Sequence, residues 1–128
     1  MCGFTFRRSS LLKGQNGYLR HRGPDQQSYF FGEDFELEFS RLTITGTIEG
    51  EVPVYSTSGE WLIAFNGEIY NHADLRTQIV GHSFRSSSDS EVLLEYYRQY
   101  GISGFAHLRG MFAVAFYEID TGNLILLR

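Results

Sequence analysis

Residues 60–70 read EWLIAFNGEIY, the strongest strand signal in this chain of 128 residues. Five consecutive apolar residues, 61–65, are typical of a strand that is buried on both faces. Gly59 stands before the run, and Asn66 with Gly67 directly follows it. Because an Asn-Gly pair supplies the positive φ angles of a tight turn, the sequence predicts a buried strand over residues 61–65 that ends in a hairpin turn.

A short helix is predicted next, over residues 71–81. Asn71 would cap its first turn, and Leu75 and Ile79 would share the face directed at the core. Gly81 would end it, since glycine readily adopts the left-handed conformation that terminates many helices.

The clearest helix signal covers residues 88–101. Ser88 and Glu91 have the spacing of a capping box, in which each side chain hydrogen-bonds the backbone N–H of the other, and Gly101 closes the helix. A stripe of apolar residues at helical spacing is expected to face the core, and its members are Val92, Leu93, Tyr96, Tyr97 and Tyr100.

Strands are predicted on both sides of these helices. Residues 35–44 alternate apolar and polar side chains, as in a strand with one buried face. Residues 111–119 and 124–127 are two apolar strands joined by turn residues 120–123, after a short turn or helix at 103–108. This order predicts an α+β domain, with antiparallel sheet flanked by helices. The last strand would leave an open apolar edge, which favours pairing between copies and a possible homodimer.

Composition restricts the classes of function. The hydrophobic fraction of 42% is enough for the core of one ordinary domain. A net charge of −4 argues against nucleic acid as a partner, because phosphate binding usually shows as a basic excess. No apolar run approaches the ~20 residues of a membrane span and no signal peptide is found, so a cytoplasmic protein without membrane contact is expected. The four histidines lack metal-ligand spacing, so no metal site is predicted.

Cys2 is the single cysteine of the chain, which excludes an internal disulfide framework. A lone cysteine near a terminus is often a small buried hydrophobe or an unconstrained residue. If Met1 is removed, however, Cys2 carries a thiol and a free α-amine on one residue, and these supply a nucleophile and a base. Position alone leaves both interpretations open.

Six motifs occur in an order and spacing that resemble one family. They are MCGF at residue 1, RHRGPD at 20, RLTI at 41, FNGEIYN at 65, SDSE at 88 and LRGMFAVAFYE at 108. Taken singly, each has a simpler structural explanation, such as a loop, an exposed strand face, a hairpin or a helix cap. Together they resemble the N-terminal glutaminase domain of glutamine-hydrolysing asparagine synthetases, which are class II glutamine amidotransferases and N-terminal-nucleophile hydrolases.

The resemblance implies the αββα four-layer sandwich of the N-terminal-nucleophile hydrolases, incomplete at its C-terminal side. Residues 1–128 would form a partial glutamine amidotransferase type-2 domain, without the synthetase domain that follows in the family. ATP and Mg²⁺ would be used only in that absent domain, so no cofactor is expected in this chain. The expected partners are L-glutamine and a C-terminal synthetase domain or subunit.

The resemblance also implies which residues perform the chemistry. After removal of Met1, the Cys2 thiolate would attack the side-chain amide of glutamine, with the α-amine as base. Asn66 and Gly67 would donate hydrogen bonds to the oxyanion that forms in this attack. The products would be glutamate and ammonia, the latter for asparagine biosynthesis.

Other residues would hold the substrate as an amino acid. Arg41 would bind the carboxylate, to which a guanidinium fork is well matched. Asp89, helped by Glu68, would pair with the ammonium. The segment that lines the same pocket in relatives comprises Leu42, Thr43, Ile44 and Thr45.

Two alternatives remain open from the sequence. A truncated chain that retains Met1 could bind glutamine or a partner protein without turnover. A glutaminase of this kind could also deliver ammonia to another acceptor, such as a sugar phosphate or a purine precursor. The mass of the mature chain would separate a processed N-terminus from a blocked one, whereas the acceptor depends on sequence outside this chain.

Overall fold

The computed structural model describes residues 3–8, 17, 19–32, 35–41 and 54–128, and for Arg8 and Arg41 it describes the backbone only. These residues form seven strands, two α-helices and one 3-10 helix. In chain order the elements are β1 (Gly3–Arg8), β2 (Gln26–Phe31), β3 (Phe35–Arg41), β4 (Val54–Tyr55), β5 (Trp61–Ile69), α1 (His72–Gln78), α2 (Asp89–Tyr100), the 3-10 helix (Gly101–His107), β6 (Gly110–Glu118) and β7 (Leu124–Leu127).

The strands form two antiparallel sheets. The first sheet has the order β1-β3-β2, and the second has the order β4-β5-β6-β7. The longest pairing among the described strands joins β5 to β6 through nine residue pairs, from Trp61 opposite Glu118 to Ile69 opposite Gly110. The predicted strands at 111–119 and 124–127 are thereby confirmed, the first with a shift of one residue.

The second sheet is packed on both faces. Ile63 of β5 and Phe116 of β6 are buried against the helices, where Leu75, Val92, Leu93 and Tyr96 complete the cluster. On the opposite face Leu62 and Ala64 are buried against the first sheet. The prediction of a strand buried on both faces is therefore confirmed for residues 62–64, with Trp61 and Phe65 half-buried on either side. The described residues supply three layers in the order helices, sheet, sheet.

β3 is covered on both faces, although its alternating pattern predicts one buried face. Phe35 and Leu37 pack toward the second sheet. On the outer face Glu38 and Ser40 are only 4% and 0% exposed. The backbone N–H of Gly17 donates a 2.9 Å hydrogen bond to the Glu38 carboxylate, so part of the segment before β2 covers this face. The last residues of the predicted strand, 42–44, lie outside the described part of the chain.

α1 is shorter than the sequence predicts. It runs from His72 to Gln78, and Ile79 already has an extended conformation, so the predicted end at Gly81 is wrong. The predicted cap is wrong as well, because the Asn71 side chain makes no hydrogen bond to the first turn. The helix forms because Leu75 packs into the core, where it is fully buried.

α2 begins and ends as predicted, but its first turn is stabilised differently. The Ser88 hydroxyl accepts a hydrogen bond from the N–H of Ser90, and Gly101 closes the helix at a φ of +63°. Glu91 is not the capping partner of Ser88. Its carboxylate instead accepts hydrogen bonds from the backbone N–H groups of Arg85 and Ser86, both at 2.9 Å, so it holds the loop in front of the helix.

The apolar stripe of α2 is only partly as predicted. Every residue from 90 to 96 is buried, including the carboxylate-bearing Glu95. Tyr100 is 38% exposed, so its predicted core position is wrong; its ring packs on Tyr96, with the two centroids 4.5 Å apart. Neither α2 nor any other helix in the described part of the chain is long and apolar enough to cross a membrane.

We expect Glu91→Gln to lower the free energy of unfolding by about 3 kcal/mol near pH 7. Burial alone would raise the pKa of this carboxyl, but hydrogen bonds from Arg85, Ser86 and His82 outweigh it and lower the pKa from 4.5 to about 2. Because the folded pKa is the lower one, the stabilisation is present above the unfolded pKa and is lost as the pH falls toward about 2.

Urea denaturation at several pH values between about 3 and 7 measures this effect. The difference between parent and variant should shrink steadily below about pH 4.5. Glu60→Gln, at an exposed carboxyl, is the matched control and should change stability little. Equal stability of the parent and Glu91→Gln near pH 7 would contradict the assignment.

The outer edge of β7 predicts association between copies. Among the described strands, β7 lies at the end of its sheet, and Leu126 on it is 67% exposed. Leu126→Lys should reduce concentration-dependent association in light scattering, because a charge at a strand edge opposes strand pairing. Ile102→Lys, which changes an equally exposed residue of the 3-10 helix, should not. A parent chain that stays monomeric at all concentrations would refute the prediction.

Candidate functional site

The motif that follows the buried apolar run lies inside β5 and not in a turn. β5 extends to Ile69, and Asn66, Gly67 and Glu68 all pair with residues of β6. The predicted hairpin turn at Asn66 and Gly67 is therefore wrong. Side chains in a strand alternate between its two faces. Leu62 and Ala64 face the first sheet, so Asn66, two residues after Ala64, belongs to the same face of β5.

Position 67 requires glycine, both because of its backbone conformation and because of the atoms around it. Its φ is +140°, which residues with a side chain rarely adopt. A Cβ at this position would lie 2.1 Å from the carbonyl oxygen of Met111 and 2.5 Å from the Cα of Phe112. The Asn-Gly pair thus lets the β5 backbone approach β6 closely, and it does not reverse the chain direction.

Asp89 is the first residue of α2, and its carboxylate lies at the end of β5. Its Oδ2 accepts a hydrogen bond from the backbone N–H of Ile69 at 2.9 Å. Burial raises the pKa of this carboxyl above its ordinary value, and the nearby Glu68 carboxyl raises it further. The N–H groups of Ile69 and Ser90 and the His72 ring lower the pKa, but they do not offset burial. An ionised Asp89 is therefore incompletely compensated and gains from a cationic partner.

The residues between β5 and α1 are held by several hydrogen bonds that sequence reasoning missed. The N–H of Tyr70 donates to the carbonyl of Arg109 at 2.7 Å. The Asn71 side chain donates to the carbonyl of His107 and accepts from the N–H of Arg109, both at 3.0 Å. No spacing rule indicates these bonds, because the partners are 36 and 38 residues apart in sequence.

The start of β1 and the end of β3 lie side by side. Gly3, the first residue of β1, pairs with Ser40, and Arg41 pairs with Gln26 of β2. A Cβ on Gly3 would lie 3.4 Å from the Leu19 side chain and 3.6 Å from that of Arg22. Part of the RHRGPD motif thus lies beside the residue that directly follows Cys2.

Several of the predicted site residues lie outside the described part of the chain. These are Cys2, Leu42, Thr43, Ile44 and Thr45, and for Arg41 only the backbone is described. Of the remainder, Asn66, Gly67 and Glu68 share one strand, and Glu68 lies close enough to Asp89 to influence its pKa. The convergence of all these residues on one substrate stays a prediction.

The histidines that lie after β5 have protein partners. The Nδ1 of His72 bonds the Ile69 carbonyl, His82 bonds Glu91, and the Nδ1 of His107 bonds the Tyr96 hydroxyl. Within the residues that the structure describes, no group of three His, Cys, Asp or Glu side chains is arranged to hold a metal ion.

Comparison with known proteins gives a match along the whole chain. The family described as the glutamine amidotransferase domain matches residues 1–128. Glutamine-hydrolysing asparagine synthetase 1 of Bacillus subtilis (strain 168) is 40% identical over 127 residues, which cover 88% of this chain and 20% of that protein. Glutamine-hydrolysing asparagine synthetase 3 of Arabidopsis thaliana is 41% identical over 110 residues, which cover 86% of this chain and 19% of that protein. The chain spans about a fifth of the length of these curated relatives.

A solved structure has the same fold. The glutamine phosphoribosylpyrophosphate amidotransferase from B. subtilis, complexed with ADP and GMP, superposes with a TM-score of 0.53 at 23% identity. The superposition covers 66% of this chain and 21% of that chain. At this level of identity the likeness concerns the fold alone, and it confirms the predicted fold class, an α+β sandwich.

Gly67→Ala should lower the free energy of unfolding by about 3 kcal/mol or more, because backbone strain and overpacking against β6 add to each other. Gly59→Ala is the matched control, since Gly59 has a φ of +76° and a Cβ added there would meet nothing within 4 Å. The control should cost only about 1 kcal/mol. Chemical denaturation compares the two variants, and equal losses would show that the close approach to β6 is not what requires glycine.

Proposed function

The chain belongs to the family of glutamine amidotransferase domains, and on that premise we propose that it hydrolyses L-glutamine to glutamate and ammonia with Cys2 as the nucleophile. It would act as the glutaminase part of an asparagine synthetase. The observation that carries the proposal is the position of Asp89, whose Oδ2 accepts a 2.9 Å hydrogen bond from the Ile69 N–H at the end of β5. This carboxylate is partly buried beside β5 and incompletely compensated, as expected of a group that pairs with the ammonium of an amino acid.

The proposed reaction has two steps at Cys2. After Met1 is removed, the α-amine of Cys2 accepts the thiol proton, and the sulfur attacks the side-chain carbonyl carbon of glutamine. The C–N bond breaks, the nitrogen takes up the proton and leaves as ammonia, and a thioester to Cys2 remains. Water then attacks the thioester, which releases glutamate and restores the thiol.

Asn66 and Gly67 are assigned to the oxyanion that forms in both steps. A side-chain amide and a backbone N–H that are aimed before the reaction stabilise developing charge without reorganisation, and each donor is typically worth about 10²–10³ in rate. Support comes from the way β5 is held. Pairing with β6 continues through both residues, and the close approach at Gly67 leaves this backbone little freedom.

Arg41 is assigned to the α-carboxylate of the substrate, for which its guanidinium offers two parallel donors. The pairing of Gly3 with Ser40 supports this assignment. Gly3 directly follows Cys2, and Ser40 directly precedes Arg41. The sequence neighbours of the two assigned residues are therefore paired across β1 and β3. Asp89 at the end of β5 would then hold the ammonium, with Glu68 adding negative charge.

The ammonia is proposed to be used by a synthetase domain or subunit that makes asparagine. This follows from the relatives, which are named as glutamine-hydrolysing asparagine synthetases and of which the chain spans about a fifth. Binding of ATP and Mg²⁺ is assigned to that further part.

Glutamate release from glutamine tests the proposed function directly. A chain whose intact mass shows the loss of Met1 should release glutamate, and Cys2→Ala should release none above the uncatalysed background. A chain with one extra, uncleaved residue before Cys2 should also be inactive, because its α-amine is displaced from the thiol. Thermal unfolding of each variant controls for folding. Activity that persists in Cys2→Ala, or an inactive processed parent, would refute the proposal.

A further inference from the structure

Ile69 is held on both sides of its Cα. Its N–H donates to the Asp89 carboxylate at 2.9 Å, and its carbonyl lies 2.9 Å from Nδ1 of His72. The Ile69 side chain is fully buried in the core beneath the helices. The buried side chain and the hydrogen bond at the carbonyl hold the Cα of Ile69 in place, and from there the Ile69 N–H reaches the Asp89 carboxylate.

The protonation of the His72 ring follows from its partner. A backbone carbonyl only accepts hydrogen bonds, so Nδ1 of His72 must carry the proton and donate it. The ring is then either the neutral Nδ1–H form or the imidazolium. In both forms the Ile69 carbonyl is held, so the bond does not depend on the charge of the ring.

His72 also acts on Asp89 electrostatically. The ring lowers the pKa of the Asp89 carboxyl, in opposition to burial and to the Glu68 carboxylate on β5. Three different elements thus act on one carboxylate: β5 through Ile69, α2 through the Ser90 N–H, and α1 through His72. His72 is the side chain among these groups, and it hydrogen-bonds the Ile69 carbonyl.

We infer that His72 is a positioning residue for Asp89: it anchors Ile69 through the carbonyl and thereby keeps the Ile69 N–H within hydrogen-bonding reach of the carboxylate. The inference rests on the proposed function, in which Asp89 pairs with the substrate ammonium. His72 touches no substrate atom in this scheme. His72 instead influences the affinity for glutamine, because that affinity depends on the orientation of Asp89.

The experiment measures the affinity for L-glutamine by calorimetry in a Cys2→Ala background, so that no turnover occurs. His72→Phe keeps a ring of similar size and removes the donor, whereas His72→Asn keeps an N–H close to the position of Nδ1. His107→Phe is the matched control, because His107 bonds the Tyr96 hydroxyl through the same ring atom. Asp89→Asn tests the proposed substrate contact itself.

We expect His72→Phe to weaken binding about tenfold, the usual effect of losing one well-placed hydrogen bond. His72→Asn should restore binding to within about threefold of the background chain, and His107→Phe should leave it unchanged. Rescue by asparagine separates positioning from mere packing of the ring. If Asp89→Asn abolishes binding and His72→Phe does not weaken it, the inference is overturned and the proposed function stands.

A second measurement keeps the inference testable if the background chain does not bind glutamine, an outcome that would refute the proposed function. The amide proton of Ile69 reports the hydrogen bond to Asp89 in NMR spectra. His72→Phe should shift this proton and accelerate its exchange with solvent, whereas His72→Asn and His107→Phe should not. An Ile69 amide that is identical in His72→Phe and in the background chain would overturn the inference.

Discussion

The antiparallel pairing of β5 with β6 is the constraint on which the site depends. Its nine residue pairs hold β5 inside the sandwich, with one face against the helices and the other against the first sheet. The pairing runs on through Asn66 and Gly67, and only glycine fits the second position because β6 approaches so closely. The groups proposed as oxyanion donors therefore lie on backbone that is ordered by the core, which is the condition for electrostatic preorganisation.

Two carboxylates near the start of α2 show how the same helix serves structure and function. Glu91 is buried but accepts hydrogen bonds from Arg85, Ser86 and His82, and its pKa falls to about 2. Asp89, two residues earlier, has fewer compensating donors, and its pKa is raised. The Glu91 carboxylate receives its hydrogen bonds from the protein itself and thereby holds the loop before α2. The Asp89 carboxylate leaves part of its charge uncompensated, which is a cost to folding and the basis of its proposed pairing with the substrate ammonium.

The sequence predicted most of the framework and the family, but not how its central motif is used. Long apolar runs and the helix at 88–101 were predicted because their signals are local and are reinforced by burial. The Asn-Gly pair was assigned to a turn since its local chemistry favours one, and pairing with a strand more than forty residues away overrode that preference. Glu91 was assigned to a capping box for the same reason, whereas its carboxylate reaches the preceding loop. The hydrogen bonds of Asn71 depend on tertiary contacts with residues 36 and 38 positions away, which no short-range pattern encodes.

In the proposed site, one bound amino acid connects the end of β3, the second half of β5 and the start of α2. A crystal structure of the Cys2→Ala chain with L-glutamine would show this arrangement. We expect the substrate ammonium within about 3 Å of an Asp89 oxygen, the carboxylate on the Arg41 guanidinium and the amide oxygen facing the Asn66 side chain. Glutamine bound elsewhere, or bound here without contact to Asp89, would contradict it.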